Sequence, residues 1–319
     1  LIREALMMPV DLIWNGGIGT YIKASSESHA EVGDRGSEAL RLNGRDLRAK
    51  IFGEGGNLGA TQRGRIEFAM NGGLLNTDFV DNVGGVTCSD NEVNIKILLN
   101  TLVAGGDLTL KQRNKLLFDM TDDVSAIVLK DCYRQTQSIS ISSLLGAEQL
   151  KEYTRFIHTL EKEGKLNREL EFLPSDDELA ERMAKGQGLT RPELSILTAY
   201  GKMVLKERLV LPEIYENAYF KRQLFAAFPQ MLQDKYDSEM ESHPLKAEII
   251  ATKLANMLVN EMGPNFAQRM LEEASGYRDA VISRAQGEAD RFSKLVAEYR
   301  KAPEVTRERL YLETMQEVM

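Results

Sequence analysis

The chain has 319 residues, enough for about two domains, and its 43% hydrophobic and 28% charged content suits a folded, soluble protein rather than a disordered one. A net charge of −8 excludes a nucleic-acid binder held mainly by phosphates, and no apolar run approaches the ~20 residues that cross a bilayer. Two cysteines, Cys88 and Cys132, cannot build a disulfide framework or a four-thiolate metal site, so a cytoplasmic protein with neither nucleic acid nor membrane as partner is expected.

The first residues, Leu1-Ile2-Arg3-Glu4, carry neither a start Met nor a signal peptide, which suggests a piece of a longer chain. Glycine clusters before Gly106. There, three compact apolar runs each feed a Gly/Asn loop. Val10 to Trp14 ends at Asn15-Gly16-Gly17-Ile18-Gly19. Arg48 to Phe52 ends at Gly53-Glu54-Gly55-Gly56-Asn57. Leu75 to Val80 ends at Asp81-Asn82-Val83-Gly84-Gly85. A strand feeding such a loop, repeated, is the pattern of an α/β sheet, whose ligands bind at the carboxyl ends of the strands. The loops after these runs should therefore share one edge of a parallel sheet.

Beyond about residue 86 the pattern turns helical, starting with Glu92 to Leu99. Leu116, Leu117, Met120, Val124, Ile127 and Val128 form one apolar stripe. Ile249, Ile250, Leu254, Met257 and Leu258 form another. Ser175 with Glu178, and Thr190 with Glu193 and Pro192 in the first turn, read as helix starts. Pro212, Pro229 and Pro244 mark boundaries, and the charged stretch from Arg284 reads as a solvated helix. The expected fold class is α/β for residues 1–100 and mostly α-helical for residues 101–319.

Several residues invite a chemical role. Gly53 to Gly59 contains GxGxxxG after a strand, but the polar segment Ala60 to Arg65 is a poor phosphate-binding helix start, so the loop stands between a functional loop and a plain turn. His29, Glu31 and Asp34 could be drawn as a metal site; on so polar a segment they read as a solvated face, and no metal is expected. His243, before Pro244, reads as serving a helix start, and His158 stands alone. Cys88 reads as a buried small residue, and no Ser/His/Asp or Cys/His arrangement is visible.

Asp11 to Tyr21, reading DLIWNGGIGTY, with His29-Ala30-Glu31-Val32-Gly33-Asp34-Arg35 after it, resembles the signature of the large bacterial NAD-specific glutamate dehydrogenases. Gly53 to Gly59 is similar to a loop of glutamate dehydrogenases in general. Asn76 to Glu92 resembles their strand, Gly-Gly-Val-Thr-x-Ser turn and helix, and 243–262 resembles the helical tail of the large class. The resemblance implies the C-terminal part of a long chain. Residues 1–100 would then be the C-terminal portion of a Rossmann-like dinucleotide-binding domain, and 101–319 a helical C-terminal domain. It implies NAD as cofactor, L-glutamate and 2-oxoglutarate as substrate and product, and a homo-oligomer of the full-length chain. Asn57, Asn82, Asn15, Gly16 and Gly55 would face the cofactor, and Val86 and Ser89 the glutamate side chain. The large class has Trp14-Asn15-Gly16-Gly17 where the smaller enzymes have another loop. The catalytic lysines and aspartate would lie upstream, leaving no catalytic residue in this chain and no activity for it alone. Nothing in these residues chooses NAD over NADP. Two other readings stay open: another amino-acid dehydrogenase of the same fold with an apolar pocket, and a helical regulatory module on a remnant nucleotide fold.

Overall fold

A computed structural model describes residues 2–303. The chain separates into two compact units, residues 1–267 and 268–319.

In the first unit, β1 (Leu12–Asn15) lies parallel to β4 (Ile51–Glu54), with Leu12 opposite Ile51 and Asn15 opposite Glu54. Two shorter strands, β2 (Ile22–Lys23) and β3 (Leu42–Asn43), also pair in parallel. Alternation splits the β1–β4 side chains between two faces. Ile13 and Phe52 turn inward to Ile22, Leu42, Phe68 and Leu75. Leu12, Trp14 and Ile51 turn outward and are exposed, as is Leu74 opposite Ile51. Parallel sheets are ordinarily covered on both faces, so this is an uncovered apolar surface.

The run Leu75 to Val80 is not a strand. Only Leu74 pairs with β4, through Leu74 N–H to Lys50 O (2.9 Å) and Phe52 N–H to Leu74 O (3.0 Å). The Thr77 carbonyl then accepts from Val80 and Asp81 (both 3.1 Å), starting a helical turn over Asp78–Asp81. Turn formers at Asn76, Thr77 and Asp78 outweigh the apolar character of the run. Val80 is apolar because it plugs a helical core, beside Ile139 and Leu150.

Two helices frame the candidate loops: α1 (Gln62–Met70), capped by the Thr61 hydroxyl, and α2 (Val83–Gly105). The latter starts at Val83, earlier than the apolar spacing suggests, and ends at Gly106, whose φ of 86° needs glycine. Next come α3 (Leu110–Asp119), α4 (Thr121–Leu144) and α5 (Gly146–Lys162). The stripe from Leu116 to Val128 spans the α3–α4 junction, where Met120 is buried. Reciprocal Ser175–Glu178 and Thr190–Glu193 capping boxes start α6 (Asp176–Ala184) and α7 (Arg191–Leu209). They are followed by α8 (Ala218–Phe225) and α9 (Lys246–Met262).

Two helical cores result. One centres on Tyr153, Ile157, Leu194 and Leu197. The other gathers Leu98, Leu99, Phe228, Ile250 and Leu254. Each fully buried side chain of this size contributes about 1.5–3 kcal/mol. Gly201 is required where α7 meets the backbone beyond α9: a Cβ there would sit 2.3 Å from the Pro264 carbonyl oxygen.

The last helix, α10 (Phe266–Lys301), contains the described part of the stretch from Arg284. Tyr277, Val281, Ile282 and Phe292 on it are exposed.

Candidate functional site

The carboxyl ends of β1 and β4 meet through their backbones. The Asn15 carbonyl accepts from Gly55 (2.8 Å) and Gly56 (3.1 Å). The Trp14 indole lies over the neighbouring glycines: a Cβ on Gly53 would fall 2.6 Å from the ring, and one on Gly55 2.8 Å. The missing side chain of Gly55 thus makes room for Trp14. A Cβ on Gly59 would overlap the Asn15 amide, whose nitrogen is buried without a partner, and Gly16 is exposed beside the indole.

Beneath the loop lies a network of charges. Arg65 grips the fully buried Glu54 with two bonds, Nε to Oε2 (2.7 Å) and Nη2 to Oε1 (2.9 Å), and stands 3.3 Å from Asp78. Three carboxylates pin three backbone N–H groups of the loop. Asp81 takes Glu54 (3.0 Å), Asp78 takes Leu58 (2.8 Å), and Glu54 takes Ala60 (3.0 Å). Burial pushes the Glu54 carboxyl up, against the Arg65 bonds that lower it. Burial also raises Asp81, against Asn76 and the Glu54 N–H.

Asn57, carried between these pins, accepts a hydrogen bond from the Asn82 amide. Among the described residues, the Asn57 side-chain NH2 and the Asn82 side-chain oxygen have no hydrogen-bond partner, so the pair offers a donor group and an acceptor oxygen to a ligand. Asn82 sits at the junction of the Asp78–Asp81 turn and α2 rather than directly after a strand. From it, Val86 and Ser89 follow at helical spacing on one face of α2, and both are exposed.

The other candidates are engaged elsewhere. The His29 ring meets the Arg41 guanidinium (3.1 Å), Glu31 closes a capping box with Ser28, and Asp34 accepts the Thr20 N–H (2.9 Å). Among the described residues, no group of three acidic, His or Cys side chains could hold a metal ion. Buried His243 accepts the Leu245 N–H at Nδ1 (3.0 Å) just before α9, and its Nε2 lies 3.1 Å from the Asn94 carbonyl. His158 pairs with Asp176 (2.8 Å) at the surface. Cys88 is exposed, not buried, because α2 turns it outward.

A cavity of about 1100 Å³ lies between α1 and α6, lined among others by Arg63, Phe172 and Arg182. It shares no lining residue with the Asn57–Asn82 pair. The ionic network escaped sequence reasoning, although Glu54 inside a glycine run after an apolar strand was a local signal of a buried charge.

Residues 1–142 match the family described as bacterial NAD-glutamate dehydrogenase, catalytic domain, and residues 186–310 match glutamate dehydrogenase, C-terminal. The chain is 54% identical over 285 residues, 89% of its length, to the NAD-specific glutamate dehydrogenase of Pseudomonas aeruginosa. It belongs to the bacterial NAD-glutamate dehydrogenases. The Mycobacterium tuberculosis NAD-specific glutamate dehydrogenase is 46% identical over 273 residues, 86% of this chain. The chain spans 18% of the Pseudomonas relative's length and 17% of the mycobacterial one's. A similarity to the Escherichia coli modulator of FtsH protease HflK, 42% over 74 residues, takes in 16% of the chain, too little to displace the family match. Among the described residues, no helix is long and apolar enough to cross a membrane.

Proposed function

We propose that this chain supplies one wall of the nicotinamide crevice and part of the glutamate pocket in a longer polypeptide. That polypeptide oxidises L-glutamate, with NAD and water, to 2-oxoglutarate, ammonium and NADH. The observation that carries the reading is the Asn57–Asn82 pair, with Asn57 on the loop at the carboxyl end of β4 and that loop pinned by the half-buried carboxylates of Asp78 and Asp81.

The pair fits the nicotinamide end of NAD. A carboxamide presents one acceptor and one donor group, and the pair presents their complements, the Asn57 NH2 and the Asn82 oxygen. Hydride acceptance at the nicotinamide ring is the chemistry that NAD supplies. The chain's own residues orient and exclude. Asn57 and Asn82 fix the carboxamide, and with it the ring face turned to substrate. Val86, one turn along α2, packs on the methylenes of glutamate, and the Ser89 hydroxyl donates to its γ-carboxylate. The first turn of α2 favours that anion by its dipole. No residue here is assigned as acid, base or nucleophile. Alignment of the substrate Cα–H with the ring is this wall's contribution to rate.

The uncovered face of Leu12, Trp14, Ile51 and Leu74 supports the wider reading, since an apolar sheet face calls for a covering layer. Residues 1–100 are then the end of a Rossmann-like domain, and 101–319, of which 304–319 lie outside the described residues, a helical C-terminal domain.

The test is steady-state kinetics of the long enzyme. Ser89→Ala should lower kcat/KM for glutamate ten- to a hundredfold, the loss expected from ~1.5–3 kcal/mol for a bond to a carboxylate, and spare the KM for NAD. Asn82→Ala should raise the KM for NAD more than that for glutamate. Equal losses on both ligands in both variants, with melting curves unchanged, would overturn the assignment.

A further inference from the structure

Arg191, the first residue of α7, belongs to the helical part of the chain, yet its side chain ends beside the candidate crevice. Nε and Nη2 both donate to the Asn76 oxygen (3.1 and 2.8 Å), and Nη1 donates to the Ser140 hydroxyl on α4 (2.9 Å). The Asn76 amide donates to Asp81 Oδ1 (2.8 Å), and Asp81 Oδ2 accepts the Glu54 N–H (3.0 Å). Asp81 closes the helical turn that ends at Asn82.

A two-point grip on one amide oxygen fixes the amide's plane and leaves its NH2 aimed one way. Asn76 therefore keeps its N–H donating to Asp81 rather than rotating away. Asp81, so held, sets two things together: the end of β4, from which the Asn57 loop departs, and the turn from which Asn82 departs. Removing the grip frees Asn76, and both ends of the asparagine pair lose a common reference.

We propose that Arg191 is a positioning residue for the nicotinamide cofactor, acting from the helical domain through Asn76 and Asp81 on the Asn57–Asn82 pair. This rests on the crevice reading above. It gives the helical domain a part in cofactor binding: α7 carries the clamp that keeps the crevice wall in register.

The test is NAD titration and kinetics of the long enzyme with Arg191→Met, Asn76→Ala, their double variant and Ser140→Ala. Arg191→Met and Asn76→Ala should each weaken NAD binding about tenfold, the double variant should lose no more than either, and Ser140→Ala should leave NAD binding within about twofold. The maximal rate at saturating NAD should stay within about threefold in all four. Arg191→Lys, which keeps the charge but not the two-point grip, should be impaired nearly as much as Arg191→Met. The Lys variant takes the place of the Met variant if the latter does not accumulate folded. Additive losses would overturn the proposal, as would an equal loss in Ser140→Ala, which would mark Arg191 as a tie between α4 and α7. Asn57→Ala separates the two levels. If it spares NAD binding, the crevice reading fails. If it weakens NAD binding while Arg191→Met and Arg191→Lys do not, only the positioning role fails.

Discussion

Two arginine–glutamate pairs, Arg65–Glu54 in the α/β segment and Arg182–Glu193 in the helical segment, are both doubly bonded, the first through Nε and Nη2 and the second through Nη1 and Nη2, and differ in what surrounds them. Each makes two bonds, of 2.7 and 2.9 Å, and each glutamate side chain is at most 1% exposed. Around Glu193 the further partners are the Thr190 N–H and hydroxyl, both at 2.7 Å, so that pair closes a helix cap and ends there. Around Glu54 lie Asp78 and Asp81, whose oxygens reach loop backbone on either side of Asn57. Two like charges beside a buried pair weaken it as a source of stability. Their presence is explained by the loop they hold, which the capping pair does not have.

The comparison breaks most sharply on mutation of each arginine. Arg65→Met and Arg182→Met should each cost about 3–5 kcal/mol, because either leaves a buried carboxylate without its partner. Urea unfolding should show losses of similar size. NAD titration at a temperature where both variants are folded should separate them: at least tenfold weaker binding for Arg65→Met, and unchanged binding for Arg182→Met. Equal NAD losses would mean that the Arg65 network is only scaffolding.

Lys202 sharpens the comparison from the other side, as a half-buried cation whose hydrogen bond goes to an amide. It donates to the Gln135 oxygen (2.5 Å), while nearby Asp131 bonds Lys253 (3.0 Å). Burial pushes the Lys202 amine down to about 8, with Asp131 pulling the other way. An amine lowered in the folded state binds fewer protons there than in the unfolded chain, whose lysine titrates near 10.5. Stability from this site therefore rises as pH climbs from about 8 to about 10.5. Lys202→Met should be more stable than the native chain by about 1–3 kcal/mol at neutral pH, and the gain should shrink toward pH 10. Thermal melts at the two pH values measure it; a constant gain would place the effect in packing rather than charge.

How much of this was legible in the sequence follows from the range of each interaction. Strands β1 and β4 showed as apolar runs stopping at Gly/Asn loops, a local signal although their pairing is not local, and the capping boxes at Ser175 and Thr190 showed as spacings of three because cap and partner are near in sequence. Leu75 to Val80 misled because three apolar residues in a stretch of six do not say whether their partner is a strand or a helical core. Gly53 and Gly55 read as members of a GxGxxxG loop, and the Trp14 indole that a Cβ on either would meet left no sign in that motif. The Arg191–Asn76 contact joins residues 115 apart and leaves no periodic trace, so Arg191 read only as part of a helix start.

The most direct measurement of the central claim is a structure of the long enzyme with NAD bound. The nicotinamide carboxamide should lie within hydrogen-bonding distance, about 2.7–3.2 Å, of the Asn57 NH2 and the Asn82 oxygen, with Val86 and Ser89 beyond the ring. A nicotinamide bound away from the carboxyl ends of β1 and β4, with Asn57 and Asn82 still bonded only to each other, would contradict it.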